Sequence, residues 1–481
     1  MAISNSHALL LVSPGMGHII PALELAKRLV SHKIISKVTC LCGSIKTSTP
    51  SNVETQVLQS AINENLFDLI QLPPIDLNNL HIKTKIATIM HEIPKLFVST
   101  ISIMNLNPTV IITDFFFSQV IPLIDEKLKL SMPKFAFAPT NAWLVALGLH
   151  SPTLGKQIQG EYINPISIPG CKSVEPHDLF DMLNDKTNRL YHEFVEACQG
   201  AALANGIFVN TFHELEPKTL EALGCGHITK VPVYPVGPIV RQISPSPGPN
   251  PRSDVVEWLE KQEEESVVYV SLGSGYTMSH EEIKEMALGL ELSGTKFVWS
   301  VRPPVTKAGN DHYLTAGEES EIGTTLVSSN FEPSNSFPDE FYRIQTNGFV
   351  ITDWAPQLDI LKHPSIGGFV THCGWNSVIE SVSCGVPIIG WPIFADQKMN
   401  ATMLAEEVGN GIRVEVSPST KMVGREGLAK AIKKMMDKDD IEGCVMRERA
   451  KKLKVLAERA WSSDGSSYLS LSKITHSNGV W

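Results

Sequence analysis

The run Ile366-Gly367-Gly368-Phe369-Val370 is apolar and strand-like. It ends in Thr371-His372-Cys373-Gly374 before a helical run from Val378 to Ser383. A strand that enters a helix through a glycine turn leaves the first helical N–H groups without intrahelical acceptors. Those amides and the positive end of the helix dipole favour an anion, phosphate above all. Asn376 and Ser377 fall in the first turn and add side-chain donors, and His372 just before the turn adds a third. Glu380 stands four residues after Asn376, on the same helix face. A carboxylate there is placed to accept from ribose hydroxyls. Together these residue types read as a nucleoside-diphosphate site. A second pair is split across the sequence. His18 follows the apolar run Leu9 to Val12 through Ser13-Pro14-Gly15-Met16-Gly17, and Asp114 closes the apolar run from Thr109 to Thr113. In a parallel sheet both fall at the carboxyl edge of the strands, where ligands bind. An imidazole there can take a proton from a hydroxyl. A carboxylate on its other nitrogen fixes the tautomer and stabilises the imidazolium.

The elements that must position these residues alternate. Strands are expected at Lys37 to Cys42, Leu66 to Leu72, Phe135 to Ala138, Gly206 to Asn210 and Val231 to Val236. Helical spacing runs from Ile19 to Val30 and through most of Ile82 to Met104. Gly15-Met16-Gly17 is not a dinucleotide fingerprint, because the third glycine would fall at Ile20. Residues 151–184 are irregular and Pro-rich. Prolines at every second position from Pro245 to Pro251 mark 241–253 as a linker. Beyond it come a helix from Asp254 to Lys261, a strand from Ser266 to Leu272 and the turn Gly273-Ser274-Gly275. A helix capped by Ser279 with Glu282 in the capping-box position follows, then a strand from Lys296 to Val301. Residues 303–336 are polar without an apolar period and read as a long surface insertion. Amphipathic helices cover Arg425 to Met436 and Ile441 to Trp461. The reading is α/β, with a βαβ domain over 1–240, a second over 254–455 and a terminal segment over 456–481.

Composition narrows the function. The 481 residues carry a net charge of −10, with 43% hydrophobic and 19% charged residues. That balance fits a globular protein and argues against a nucleic-acid partner. The eight cysteines are scattered, and Cys40-x-Cys42 is too tight for usual zinc spacing with no histidine pair to complete it. Reduced thiols in a cytoplasmic protein are the expectation. The apolar run from Ala8 to Val12 has no basic lead and is too short for a signal peptide. No stretch of about 18 apolar residues is seen, so no membrane span is expected. His81, His91, His150 and His363 have no partner that the sequence names.

The segment Trp354 to Gln397 resembles the plant secondary-product glycosyltransferase box. It carries W-x-P-Q, H-C-G-W-N-S, the glutamate, G-V-P, W-P and the closing D-Q. The flanking sequence is similar to the branch that glucosylates phenylpropanoids and other small phenols. The resemblance implies a GT-B type fold, two Rossmann-like βαβ domains facing each other across a cleft, with the final helix packed back on the first. It implies Trp354 against uracil, Ala355 on the uracil edge, Gln357 near the ribose and Glu380 on the ribose hydroxyls. His372, Ser274, Asn376, Ser377 and the helix amides would hold the two phosphates. Asp396 and Gln397 would bind sugar hydroxyls, a carboxylate beside an amide suiting groups that both donate and accept. The closing Gln397 favours UDP-glucose as donor, and Trp375 and Thr140 are further candidates for sugar contact.

The first domain would hold a small phenolic acceptor, with His18 as base and Asp114 as its partner. Of Phe115, Phe116 and Phe117 one ring is expected to reach the acceptor. Phe117, Trp143, Met90 and Phe394 are the acceptor-side candidates. One displacement with inversion would give a β-glucoside from a monomeric enzyme. No metal is needed, because the diphosphate site lacks the carboxylate cluster that Mg²⁺ prefers. Two alternatives stay open: C-glucosylation of an electron-rich phenol by the same base, and a UDP-sugar epimerase or hydrolase.

Overall fold

The structure is a computed structural model. It describes residues 6–46, 52–77, 80, 82–104, 106–157, 164–183, 185–241, 254–304, 337–352, 354–416 and 423–477. The expected linker at 241–253 and insertion at 303–336 therefore lie outside the described residues, apart from 241, 303 and 304. The chain divides into two compact units, Met1–Gln242 with Leu456–Trp481, and Ile243–Val455.

The first unit is built on a seven-stranded parallel sheet. Its strands are β1 (His7–Val12), β2 (Lys37–Cys42), β3 (Asp68–Gln71), β4 (Val110–Asp114), β5 (Lys134–Ala138), β6 (Gly206–Val209) and β7 (Val233–Pro235). Their spatial order is β3-β2-β1-β4-β5-β6-β7. The near-continuous apolar runs seen in the sequence are what a sheet covered on both faces requires. In β1, Ala8 to Val12 are all buried. The second unit has a six-stranded parallel sheet of β8 (Val267–Ser271), β9 (Lys296–Ser300), β10 (Gly348–Ile351), β11 (Ile366–Thr371), β12 (Ile388–Gly390) and β13 (Gly411–Arg413). Its order is β10-β9-β8-β11-β12-β13.

Both sheets therefore run outward from their first strand, return to it and continue on its other side. The strand order reverses between β1 and β4 in one and between β8 and β11 in the other. Such a switch point opens a crevice at the carboxyl ends of the strands. Register fixes what stands there. Leu11 pairs with Thr113, so Asp114 is the next residue out. Ser271 pairs with Thr371, so His372 is the next residue out.

The helix Met16–Ser31 leaves β1 and buries Ile19, Ala22, Leu23, Leu25, Ala26 and Leu29 against the first sheet. The Ser279–Glu282 capping box is formed, each partner bonding the other's backbone N–H. The helix expected over Ile82 to Met104 forms as Ile82–Ile103. Within it an 18-residue window reaches a mean hydropathy of 1.2, so the helix is long and apolar enough to cross a membrane by length and composition. The sequence reading expected no span, because His91, Glu92 and Lys95 interrupt the apolar run. Here this helix packs on the helices Val120–Leu128 and Arg189–Ala201 of its own unit.

The terminal segment belongs to the first unit. The Trp461 ring stacks on His32 at 5.3 Å, and the Arg28 guanidinium lies 4.2 Å over the same ring. In the helix Ser466–Ser477, Ser467 donates to the Gly237 carbonyl and Leu471 enters the core. Trp461→Ala should therefore lower the stability of this unit by about 2 kcal/mol, as lost packing and a lost cation–π contact. A shift of the urea midpoint measures it. An unchanged midpoint would show that the segment adds nothing.

Candidate active site

At the first switch point, β1 runs into Gly15, whose φ of 100° turns the chain into the helix Met16–Ser31. The tight turn sets His18 in the helix's first turn. His18 Nδ1 lies 2.7 Å from Asp114 Oδ2. A carboxylate only accepts, so Nδ1–H donates, and in the neutral ring the lone pair is on Nε2. The imidazole is 30% exposed and the carboxylate 3%. Asp114 Oδ1 accepts from the Phe116 N–H at 2.9 Å, capping the short 3₁₀ turn Phe115–Phe117. The carboxylate thus spends one oxygen holding its own loop and the other orienting the imidazole.

The turn also decides which phenylalanine is nearest. Phe116 stands edge-on to the His18 ring at 5.4 Å and is part-exposed. Phe117 points into the core instead, packed edge-on to Phe97 at 6.1 Å. Phe117, Met90 and Trp143, the acceptor-side candidates of the sequence, are buried, exposed 1, 2 and 1%. Phe394 stays part-exposed in the second unit. Thr140 is buried at the end of β5. Just after it, Glu216 accepts from the amides of Ala142 and Trp143 at 3.0 and 3.1 Å, so a carboxylate already fills that helix start.

At the second switch point the turn Cys373-Gly374 leads β11 into the helix Trp375–Cys384. The N-cap residue is Gly374, which has no side chain to set over the first helical amides. Asn376 and Ser377 occupy the second and third helical positions. His372 is wedged between two glycines. A Cβ at Gly273 would lie 2.6 Å from the ring, and one at Gly374 would lie 2.4 Å from Nε2. Only glycine on both sides leaves the ring its place. Burial pushes the His372 pKa down to about 4, so the ring is neutral at physiological pH.

Around this turn the other box residues interlock. Gln357 Nε2 donates to Glu380 Oε2 at 2.8 Å and to Ser377 Oγ at 3.1 Å. The buried Tyr269 hydroxyl donates to Gln357 Oε1 at 3.4 Å. Trp354, by contrast, is 49% exposed, an indole face held in solvent beside the part-buried Ala355. Gln397 Oε1 accepts from the amides of Ile393 and Phe394 at 2.9 and 3.0 Å. Only a carbonyl can accept both, so the amide orientation is set and the Nε2 donors point elsewhere. Asn400 Nδ2 donates to the Cys373 carbonyl at 2.9 Å and to Asp396 Oδ2 at 3.1 Å. It ties the turn before the helix to the carboxylate beside Gln397. Cys373 and Ala395 both adopt positive φ, 64° and 57°. Such backbone strain in non-glycine residues collects at functional loops. Trp375 is buried at the helix start. Ser274 is part-exposed in the turn after β8. Among the described residues no three His, Cys, Asp or Glu side chains converge as a metal site.

Residues 239–449 match the family model described as UDP-glucoronosyl and UDP-glucosyl transferase. UDP-glycosyltransferase 72D1 of Arabidopsis thaliana is 41% identical over 97% of this chain and 97% of its own. The chain belongs to the UDP-glycosyltransferase family. Anthocyanidin 3-O-glucosyltransferase 5 of Manihot esculenta is 39% identical over 98% of this chain and 95% of its own. Among solved structures, TcCGT1 in complex with UDP superposes with a TM-score of 0.85 at 35% identity, over 98% of this chain and 99% of that one. The two sheets are accordingly the two Rossmann-like domains of a GT-B glycosyltransferase.

Sequence reasoning missed Phe116 and Asn400. The second was findable, since Asp396 and Asn400 are four apart on one helix. Phe116 was not, because only the direction of the 3₁₀ turn separates it from its neighbours.

Two measurements follow. Between pH 6.5 and about 4 the unfolded chain takes up a proton that the folded His372 ring refuses, so stability falls as pH falls through this window. At roughly 1.4 kcal/mol per unit the loss approaches about 3 kcal/mol. His372→Gln should flatten the pH dependence of the urea midpoint there, and an unaltered slope would contradict the buried neutral ring. Gly374→Ala should displace the ring and weaken UDP binding at least about tenfold, read by calorimetry, with the far-ultraviolet spectrum unchanged.

Proposed function

We propose that this UDP-glycosyltransferase moves glucose from UDP-glucose to a hydroxyl of a small phenolic acceptor, giving a β-glucoside. The observation that carries the reading is the 2.7 Å contact between the part-exposed His18 and the buried Asp114. With Nδ1–H held by Asp114, the neutral ring carries its lone pair on Nε2, at the strand edge where ligands bind in such sheets. The related anthocyanidin 3-O-glucosyltransferase supports glucose and a phenolic hydroxyl.

In this reading Nε2 takes the acceptor's O–H proton as its oxygen forms a bond to the anomeric carbon. The bond from that carbon to the diphosphate oxygen breaks on the opposite side, so an α-linked donor yields a β-linked product. Asp114 stabilises the imidazolium formed. The charge that grows on departing UDP falls on the amides at the start of the helix Trp375–Cys384, with Asn376, Ser377, Ser274 and the neutral His372 as further donors. Such preorganised donors lower the barrier without reorganising. Uracil lies on Trp354 with its edge at Ala355. Ribose hydroxyls meet Glu380, which Gln357 holds in place. Asp396 and the Nε2 donors of Gln397 take sugar hydroxyls, and Gln397 favours glucose. The scheme needs no metal and runs in a cytoplasmic monomer. Phe116 replaces Phe117 as the acceptor-side ring.

His18→Ala should lose roughly 10²–10⁴-fold in turnover with UDP affinity unchanged, and normal turnover would remove the base assignment. Trp354→Ala should weaken UDP binding about tenfold or more, as lost base stacking. A phenol panel with UDP-glucose, read by mass spectrometry, tests the acceptor class. Products cleaved by acid and β-glucosidase are expected. Stable products would mean a sugar–carbon bond, and a UDP-sugar isomer or free glucose without acceptor would replace transfer altogether.

A further inference from the structure

The two imidazoles at the switch points differ in what sits on Nδ1. A neutral ring carries one N–H and one lone pair, and the neighbour of each nitrogen decides which is which. At His18 the neighbour is a carboxylate, which only accepts. At His372 it is a hydroxyl: Thr371 Oγ1 lies 3.3 Å from His372 Nδ1. His372 is neutral at working pH, so it must take one tautomer or the other.

A hydroxyl both donates and accepts, so the contact alone allows two arrangements. Burial decides between them. Thr371 is the last residue of β11 and is 0% exposed. Among the described residues its hydroxyl makes this one hydrogen bond. Were Nδ1–H to donate to Oγ1, the hydroxyl proton would be buried without an acceptor, which native proteins rarely tolerate. When Oγ1–H donates to Nδ1, that proton is used and the ring's own proton moves to Nε2. His372 is part-exposed, so water or a ligand can accept from Nε2. Two glycines place that nitrogen. A Cβ at Gly374 would lie 2.4 Å from Nε2, and one at Gly273 would lie 2.7 Å from it. Gly374 is the residue before the helix Trp375–Cys384. Nε2 thus stands at a helix start, where the dipole favours an anion. A lone pair there would repel a phosphate oxygen, and an N–H would bind it.

We propose that Thr371 is a positioning residue for the donor: its hydroxyl donates to His372 Nδ1, which holds the ring's proton on Nε2 for a phosphate oxygen. The inference rests on the reading above that places the diphosphate at this helix start. Asp114 and Thr371 then play opposite parts. The carboxylate makes His18 Nε2 an acceptor, and the hydroxyl makes His372 Nε2 a donor.

A ¹⁵N spectrum of the full chain at neutral pH, with the His372 resonances assigned by His372→Gln, reads the tautomer. A protonated Nε2 and an unprotonated Nδ1 are expected in the parent and in Thr371→Ser, which keeps the hydroxyl. Thr371→Val removes the hydroxyl and should lose the preference. The ring must then settle its tautomer as UDP binds. Calorimetry should find UDP weakened about three- to tenfold in Thr371→Val, the scale of one hydrogen bond, and within about twofold of the parent in Thr371→Ser. Unchanged UDP affinity in His372→Ala would remove the diphosphate reading and this inference with it. UDP weakened by His372→Ala but not by Thr371→Val, or a proton on Nδ1 in the parent, would overturn this inference alone. The parent spectrum decides the matter even if Thr371→Val fails to fold.

Discussion

The hydrogen bond from His18 Nδ1 to Asp114 Oδ2 is the contact on which the proposed chemistry rests. Its two ends are 96 residues apart in the chain and meet only because β1 and β4 are neighbours in register. A slip of that pairing would carry Asp114 away from the imidazole. The register is itself held by apolar strands buried on both faces, where a slip exposes what should be covered. Asp114 cannot drift either, because its second oxygen caps the following turn. Packing of the sheet thus becomes the orientation of one ring.

The second unit applies the same strand order to an anion. Its switch point carries a helix that starts at a glycine, Gly374. The helix Ala142–Gln157 in the first unit has its first amides taken by Glu216. His372 at the Gly374 turn is walled by two glycines and stays neutral at working pH, so it brings no titrating charge there. The remaining polar groups are locked by neighbours: Gln357 by Tyr269 and Glu380, Gln397 by two backbone amides, Asp396 by Asn400. Preorganisation of this kind limits what must reorganise when a charged ligand arrives.

The fold was legible because its signals are local. Apolar runs without alternation name parallel strands, and the capping pair Ser279–Glu282 names a helix start. His18 and Asp114 could be paired from the sequence because each ends such a run, and a sheet edge gathers run ends. The family was legible through the box from Trp354 to Gln397, most of whose residues are local in sequence. What the sequence leaves open is side-chain direction. Phe115, Phe116 and Phe117 are the same residue three times, and only the cap by Asp114 decides which ring turns toward the imidazole. Met90 and Trp143 stand on helices whose inner face periodicity alone does not assign. The Ile82–Ile103 helix was expected, but its apolar character was not, because a few charges break the stretch and its hydropathy is an average that a residue-by-residue scan does not form.

The account stands on the tautomer of one imidazole. A ¹⁵N spectrum of the protein at neutral pH, with the His18 resonances assigned by substitution, reads it directly. The account predicts a protonated Nδ1 and an unprotonated Nε2 in the parent protein, with the preference lost or reversed in Asp114→Asn. A proton on Nε2 in the parent, or a spectrum that Asp114→Asn leaves unchanged, would contradict it.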